Sequence, residues 1–197
     1  MDDGELLRRV AGKDLAAFRT FVDLYQNRVL GLCSRLLNHP QNAEDAAQDV
    51  FFQVYRSAPS FRHDCRVSSW IYRIALNRCR NFNRDNKRHL PDAALQRRFN
   101  NGDLGREAAA AQDGDDPASD LSLSETRAII RKAVAALPDR QRTMLVLSKF
   151  EGRSYQEIAE IMDVSLPSVE SGLHRAKRNL QKNLASELPN LCRGRKF

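Results

Sequence analysis

The stretch Ser154–Lys182, SYQEIAEIMDVSLPSVESGLHRAKRNLQK, reads as two helices separated by a tight turn. Ser154 and Glu157 stand at the spacing of a capping box, in which each side chain accepts from the other's backbone amide, so a helix starts here. Ile158, Ala159, Ile161 and Met162 give it one apolar side, and Asp163–Ser165 breaks it. Ser165 is suited to cap a second helix, whose first turn tolerates Pro167. At about 100° per residue Val169, Leu173, Ala176 and Leu180 share a narrow stripe, while Ser171, His174, Arg175, Arg178 and Lys182 fall opposite. With small Ala159 at the crossing, this is a helix-turn-helix whose second helix packs by one face and offers a basic face to a major groove. A basic helix face alone is usually plain solvated surface. Cap, turn and small crossing residue together make the pattern specific to DNA binding.

The chain has 197 residues, 42% of them hydrophobic, enough for one or two domains with cores and too many for wholesale disorder. Its net charge of +7 is unevenly spread: residues 1–99 hold 17 Lys/Arg against 11 Asp/Glu, residues 100–122 hold 1 against 6, and residues 123–197 hold 14 against 8. Two basic blocks thus flank an acidic, low-complexity tract whose composition reads as a linker. No run of about 18 apolar residues exists, and Met1–Glu5 lacks the basic and apolar regions of a secretory signal, so a cytoplasmic protein without membrane insertion is expected. Cys33, Cys65, Cys79 and Cys192 form no CxxC pair, which indicates neither zinc nor a disulfide framework. His63-Asp64-Cys65 is at most half of a metal or redox site, and no metal or cofactor is expected.

Strand signals are nearly absent, so the fold class expected is all-α. Helical periodicity recurs over Leu15–Leu37, Asn42–Arg56, Ser68–Arg88, Leu121–Ala136 and Asp139–Phe150, the last behind the helix-starting Leu137-Pro138. Pro189–Phe197 reads as a basic tail. In Asn42–Arg56, Ala43, Ala46, Ala47, Val50, Phe51 and Val54 make an apolar face. Asp45, Asp49, Phe52 and Arg56 lie opposite, with Gln48 and Gln53 beside them. A phenylalanine on a polar stripe either packs under a neighbouring segment or awaits a protein partner that buries it within a polar rim, and the pattern favours the partner. Asp45 and Asp49 lack the companions that acid–base or metal chemistry needs. In the next helix Ile71, Ile74, Ala75 and Phe82 face the core. Arg73, Asn77, Arg80 and Arg84 run along the other side, with Trp70 and Asn81 at its edge. Cations for phosphate, amides for base edges and an aromatic to replace lost stacking suit a nucleic acid whose bases are being unstacked; a solvated basic helix with a core tryptophan is the plain alternative.

These motifs resemble those of the extracytoplasmic-function (ECF) sigma factors, the smallest type of bacterial RNA polymerase sigma subunit in the sigma-70 class. Residues 42–56 (NAEDAAQDVFFQVYR) resemble the family's polymerase-binding helix of region 2. Ser60-Phe61-Arg62 and residues 68–77 (SSWIYRIALN) resemble its promoter-melting segment. Residues 137–142 (LPDRQR), 151–161 (EGRSYQEIAEI) and 169–177 (VESGLHRAK) resemble region 4. The resemblance implies two small helical domains: a region 2 domain over residues 1–98, an acidic flexible linker over 99–122, a region 4 domain over 123–186 and a basic tail over 187–197. It implies a non-enzymatic specificity subunit whose partners are bacterial core RNA polymerase (β′ clamp and β flap), promoter DNA and an anti-sigma factor. Asp45, Gln48, Asp49, Phe52, Gln53 and Arg56 would meet the clamp. Phe61, Arg62, Ser69, Trp70, Arg73, Asn77, Arg80, Asn81 and Arg84 would handle the minus-ten element, the loop Phe61–Val67 helping to hold a flipped base. Arg153, Ser154, Ser168, Glu170, Ser171, His174, Arg175, Arg178 and Lys182 would read the minus-thirty-five element. The chain departs from the pattern at Glu170 and Gly172, where many relatives carry cations, and at Asp163, where such turns often use glycine. Two other functions compete. A stand-alone regulator binding duplex operators would leave Phe52 and the Trp70 stripe unused. A nucleic-acid-processing enzyme would need a constellation that four His and scattered carboxylates do not supply.

Overall fold

The computed structural model describes residues 2–37, 39–89 and 120–187. Among them every regular element is helical, as the all-α reading expects, and the chain divides into two units between Ala109 and Ala110.

The first unit contains α1 (Asp3–Ala11), α2 (Leu15–Leu36), α3 (Pro40–Ser57), a 3₁₀ turn (Ala58–Ser60) and α4 (Val67–His89). Helix α1 was not expected from the sequence. Its apolar residues Leu6, Leu7 and Val10 span little more than one turn, too short to establish periodicity or to hold a helix alone in water. Tertiary contact supplies the stability: all three are buried, and Tyr25 Oη donates to Asp3 Oδ2 at 2.6 Å. Helix α3 begins at Pro40, ahead of the expected Asn42, because proline at the first helical position sacrifices no hydrogen bond. Helix α2 begins behind Asp14, whose carboxylate accepts from the amides of Ala16 and Ala17. Those amide bonds, Ala17 foremost, and the Arg9 guanidinium hold the Asp14 pKa below the ordinary carboxylate value. Phe21, Tyr25, Val29 and Leu32 of α2 are buried, as are Ala43, Ala46, Val50 and Val54 of α3 and Ile71, Tyr72, Ala75 and Leu76 of α4. The three helices pack on one another through these stripes, leaving the opposite faces of α3 and α4 outward.

The second unit contains α5 (Asp120–Ala135), α6 (Asp139–Lys149), α7 (Tyr155–Met162) and α8 (Leu166–Glu187), with α8 packed on the other three. Of the expected linker, residues 120–122 already belong to α5; its remainder and tail residues 188–197 lie outside the described residues. The capping box is formed. The Glu157 amide donates to Ser154 Oγ at 3.2 Å, and the Ser154 amide donates to Glu157 Oε2 at 2.9 Å. Helix α7 ends at Asp163, φ 53°, where the Val164 amide donates to Ala159 O at 3.0 Å and the Asp163 amide to Glu160 O. This is a Schellman ending with aspartate in the left-handed position that glycine most often fills. Replacing Ser154 by alanine removes the reciprocal cap, and a loss of about 1 kcal/mol is expected in denaturant unfolding of the second unit. An unshifted midpoint would show that the cap contributes nothing there.

Candidate protein and nucleic-acid interfaces

Phe52 stands out from α3 with 66% of its surface exposed. Asp45, Gln48, Gln53 and Arg56 surround it and are exposed, Asp45 accepting from Gln41 Nε2 at 3.2 Å. Among the described residues no segment covers Phe52. Asp49 differs from the rest of the set, because its carboxylate is paired with Arg78 of α4. Arg78, whose guanidinium carbon lies 5.8 Å from the Phe82 ring centroid, escaped the sequence reading. Nothing in either helix's own periodicity shows which residues face each other across the α3–α4 contact.

The segment leading into α4 is organised by rings. Phe61 lies 5.0 Å from Trp70, centroid to centroid, and 4.7 Å from His63, the His63 and Phe61 ring planes 69° apart; His63 has a left-handed backbone (φ 57°). His63 belongs to the loop Phe61–Val67 that the resemblance assigns to a flipped base; no group of three potential metal ligands exists among the described residues. Arg62, Asn77, Arg80 and Arg84 are exposed, while Arg73 and Asn81 of α4 are half-buried. Ser69 is a correction. It is fully buried, sharing the inward face with Tyr72 and Leu76 three and seven residues on, so it is not available to DNA. Its small polar side chain hid that position from a hydrophobicity pattern.

On α8, Glu170, Ser171, His174, Arg175, Arg178 and Lys182 are exposed and Ser168 is half-buried. A chain of hydrogen bonds runs beneath them: Ser165 Oγ donates to Ser168 Oγ (3.1 Å), Ser171 Oγ to Ser168 O (3.3 Å), and Arg175 Nε to Ser171 O (3.2 Å). Arg175 is therefore laid back along the helix. The Arg153 side chain is only 15% exposed and pairs with Glu157 at 3.4 Å, and the Ser154 hydroxyl serves the cap, so both hold the start of α7. Gly172 is buried. A Cβ there would run into the Met144 side chain of α6, so position 172 serves close helix packing, and a cation there would be aimed into the core.

Residues 21–89 match the family model for Sigma-70 region 2, and residues 127–180 that for Sigma-70, region 4. The chain is 33% identical to the ECF RNA polymerase sigma-E factor of Haemophilus influenzae, over 93% of its own length and 96% of the relative's. It belongs to the ECF family of RNA polymerase sigma factors. This sigma factor is also 35% identical to the RNA polymerase sigma-H factor of Pseudomonas aeruginosa, over 92% of this chain and 93% of that one. Its fold is shared with CnrH, solved in complex with the cytosolic domain of CnrY: TM-score 0.65 at 22% identity, covering 94% of this chain and 98% of that one. It is shared too with the sigma factor RpoE of Bartonella quintana, solved with the anti-sigma factor NepR: TM-score 0.60 at 22% identity, covering 85% and 96%. As a sigma factor it is a non-enzymatic initiation factor that binds core RNA polymerase and directs it to promoters. The stand-alone regulator and the processing enzyme are set aside. No helix among the described residues is long and apolar enough to cross a membrane.

Proposed function

We propose that this sigma factor divides promoter recognition between its two units. The outer face of α3, centred on Phe52, docks on the β′ clamp. The Phe61–His63–Trp70 cluster with Arg62, Arg73, Asn77, Arg80, Asn81 and Arg84 opens the minus-ten element. The outer face of α8 reads the minus-thirty-five element, and its unit takes the β flap as protein partner. Residues 99–119 tether the two units. The observation that carries this reading is the Phe61–Trp70 pair, 5.0 Å apart at the head of a cationic helix, which offers stacking beside phosphate contacts where strands separate. On α8, Arg178, Lys182 and His174 supply charge toward phosphate. Glu170, placed on the same face, is suited to accept from cytosine N4, a base preference that a cation there would not have. The partners put the protein in the cytoplasm. An anti-sigma factor is a further partner in this reading, supported by neighbours solved with CnrY and with NepR.

Two variants on two templates test the division. Arg178→Ala should cost about 1–3 kcal/mol of holoenzyme affinity for a duplex promoter and little on a pre-melted template lacking the upstream element. Trp70→Ala should cost a similar ~1–3 kcal/mol through lost stacking, expressed mainly as slower opening of the duplex. Equal losses for both variants on both templates would sink the assignment.

A further inference from the structure

Cys33 on α2 and Cys79 on α4 are 46 positions apart in the sequence, yet their Sγ atoms lie 3.6 Å apart inside the first unit, with Cys79 donating to Cys33. Both thiols are buried and free, whereas Cys65 sits half-buried in the segment before α4. We propose that the Cys33–Cys79 pair is an oxidation site: a disulfide formed under peroxide, and reversed by small thiols, that staples α2 to α4. A disulfide needs its sulfurs about 2.05 Å apart, so the pair must close by roughly 1.5 Å. Tying residues so distant in sequence constrains the unfolded chain strongly, which places the effect of the bond on the stability of the bundle.

The chemistry balances with peroxide as the oxidant. One thiolate sulfur attacks the O–O bond and takes one oxygen, becoming a sulfenic acid as hydroxide leaves. The second sulfur then attacks the first, forming the S–S bond and releasing water. Two electrons and both thiol protons end in two molecules of water. The contact with Cys79, and then burial, push the Cys33 pKa up, so little thiolate is present and oxidation waits on opening of the bundle.

The test uses the full chain, treated with hydrogen peroxide, denatured, alkylated with N-ethylmaleimide and digested without reductant for mass spectrometry. The expected product is a peptide linking Cys33 to Cys79, accompanied by a rise in the thermal midpoint of the first unit; excess dithiothreitol reverses both. Cys65→Ala should retain linkage and rise, whereas Cys33→Ala and Cys79→Ala should lose them. The mapping on the unsubstituted chain decides the matter even if an alanine variant folds poorly. Cys33 and Cys79 still alkylated after Cys65 has been oxidised, or cross-links running to Cys65 or Cys192, overturn the proposal. A correct linkage with an unmoved midpoint overturns the staple.

Discussion

Phe52→Ala is expected to lower affinity for core RNA polymerase by about 30- to 700-fold and to leave the first unit folded. The magnitude is that of a central aromatic anchor in a protein interface, ~2–4 kcal/mol, at about 1.4 kcal/mol per tenfold. The surroundings fit such an anchor, since Asp45, Gln48, Gln53 and Arg56 form an exposed polar rim around an aromatic side chain that the bundle does not use. With 66% of its surface already in water, Phe52 contributes little to the fold, and its loss should move stability by no more than about 0.5 kcal/mol. Asp49 is the poorer probe. Its pairing with Arg78, at side-chain exposures of 40% and 39%, contributes no more than about 1 kcal/mol, but Asp49→Ala also disturbs the α3–α4 contact and mixes two effects. Titration of labelled protein into core polymerase, alongside the helical circular dichroism signal, reads both quantities. Unchanged affinity with unchanged helicity would mean that polymerase docks elsewhere.

Ile158→Ala is expected to disable the second unit while sparing the first. Ile158 is fully buried on α7, the helix that supports α8. Removing a fully buried branched side chain costs about 2–5 kcal/mol, most of what a single small core supplies. Initiation that depends on the upstream element should fall with the folded fraction of that unit, whereas polymerase binding through α3 and transcription from a pre-melted template should persist. In a denaturation profile one transition should move and the other stay. Movement of both transitions together would show that the two units fold as one and that the proposed division fails.

Much of the fold was legible because helix signals are local. The Ser154/Glu157 cap, the break at Asp163 and the apolar stripes of α3 and α8 each lie within a few turns of chain and formed as expected, whereas on α4 Tyr72, Leu76 and Cys79 are buried with Ile71 and Ala75 while Ile74 and Phe82 are only half-buried. Boundaries shifted by one or two residues where proline could start a helix early or a capping residue ended it. The interfaces were legible in outline for the same reason, since a phenylalanine or an arginine row out of phase with the apolar stripe points outward wherever the helix packs. The motifs carried more than periodicity could: the proposal that the outward rows meet polymerase and promoter rests on their order and spacing along the chain.

By itself, then, the sequence determined the helical class, the helix-turn-helix, the polar setting of Phe52 and the cationic row from Arg73 to Arg84, all of them properties of residues close together in the chain. Tertiary structure alone decided what depends on a second element. Helix α1 is helical because its three apolar residues find a bundle to enter. Ser69 is withdrawn from solvent, and Gly172 answers to Met144 rather than to DNA. Arg78 finds Asp49, and Cys33 finds Cys79. Contacts between helices are set by how whole faces pack together, so residues 46 positions apart meet with no mark of it in the spacing of the chain.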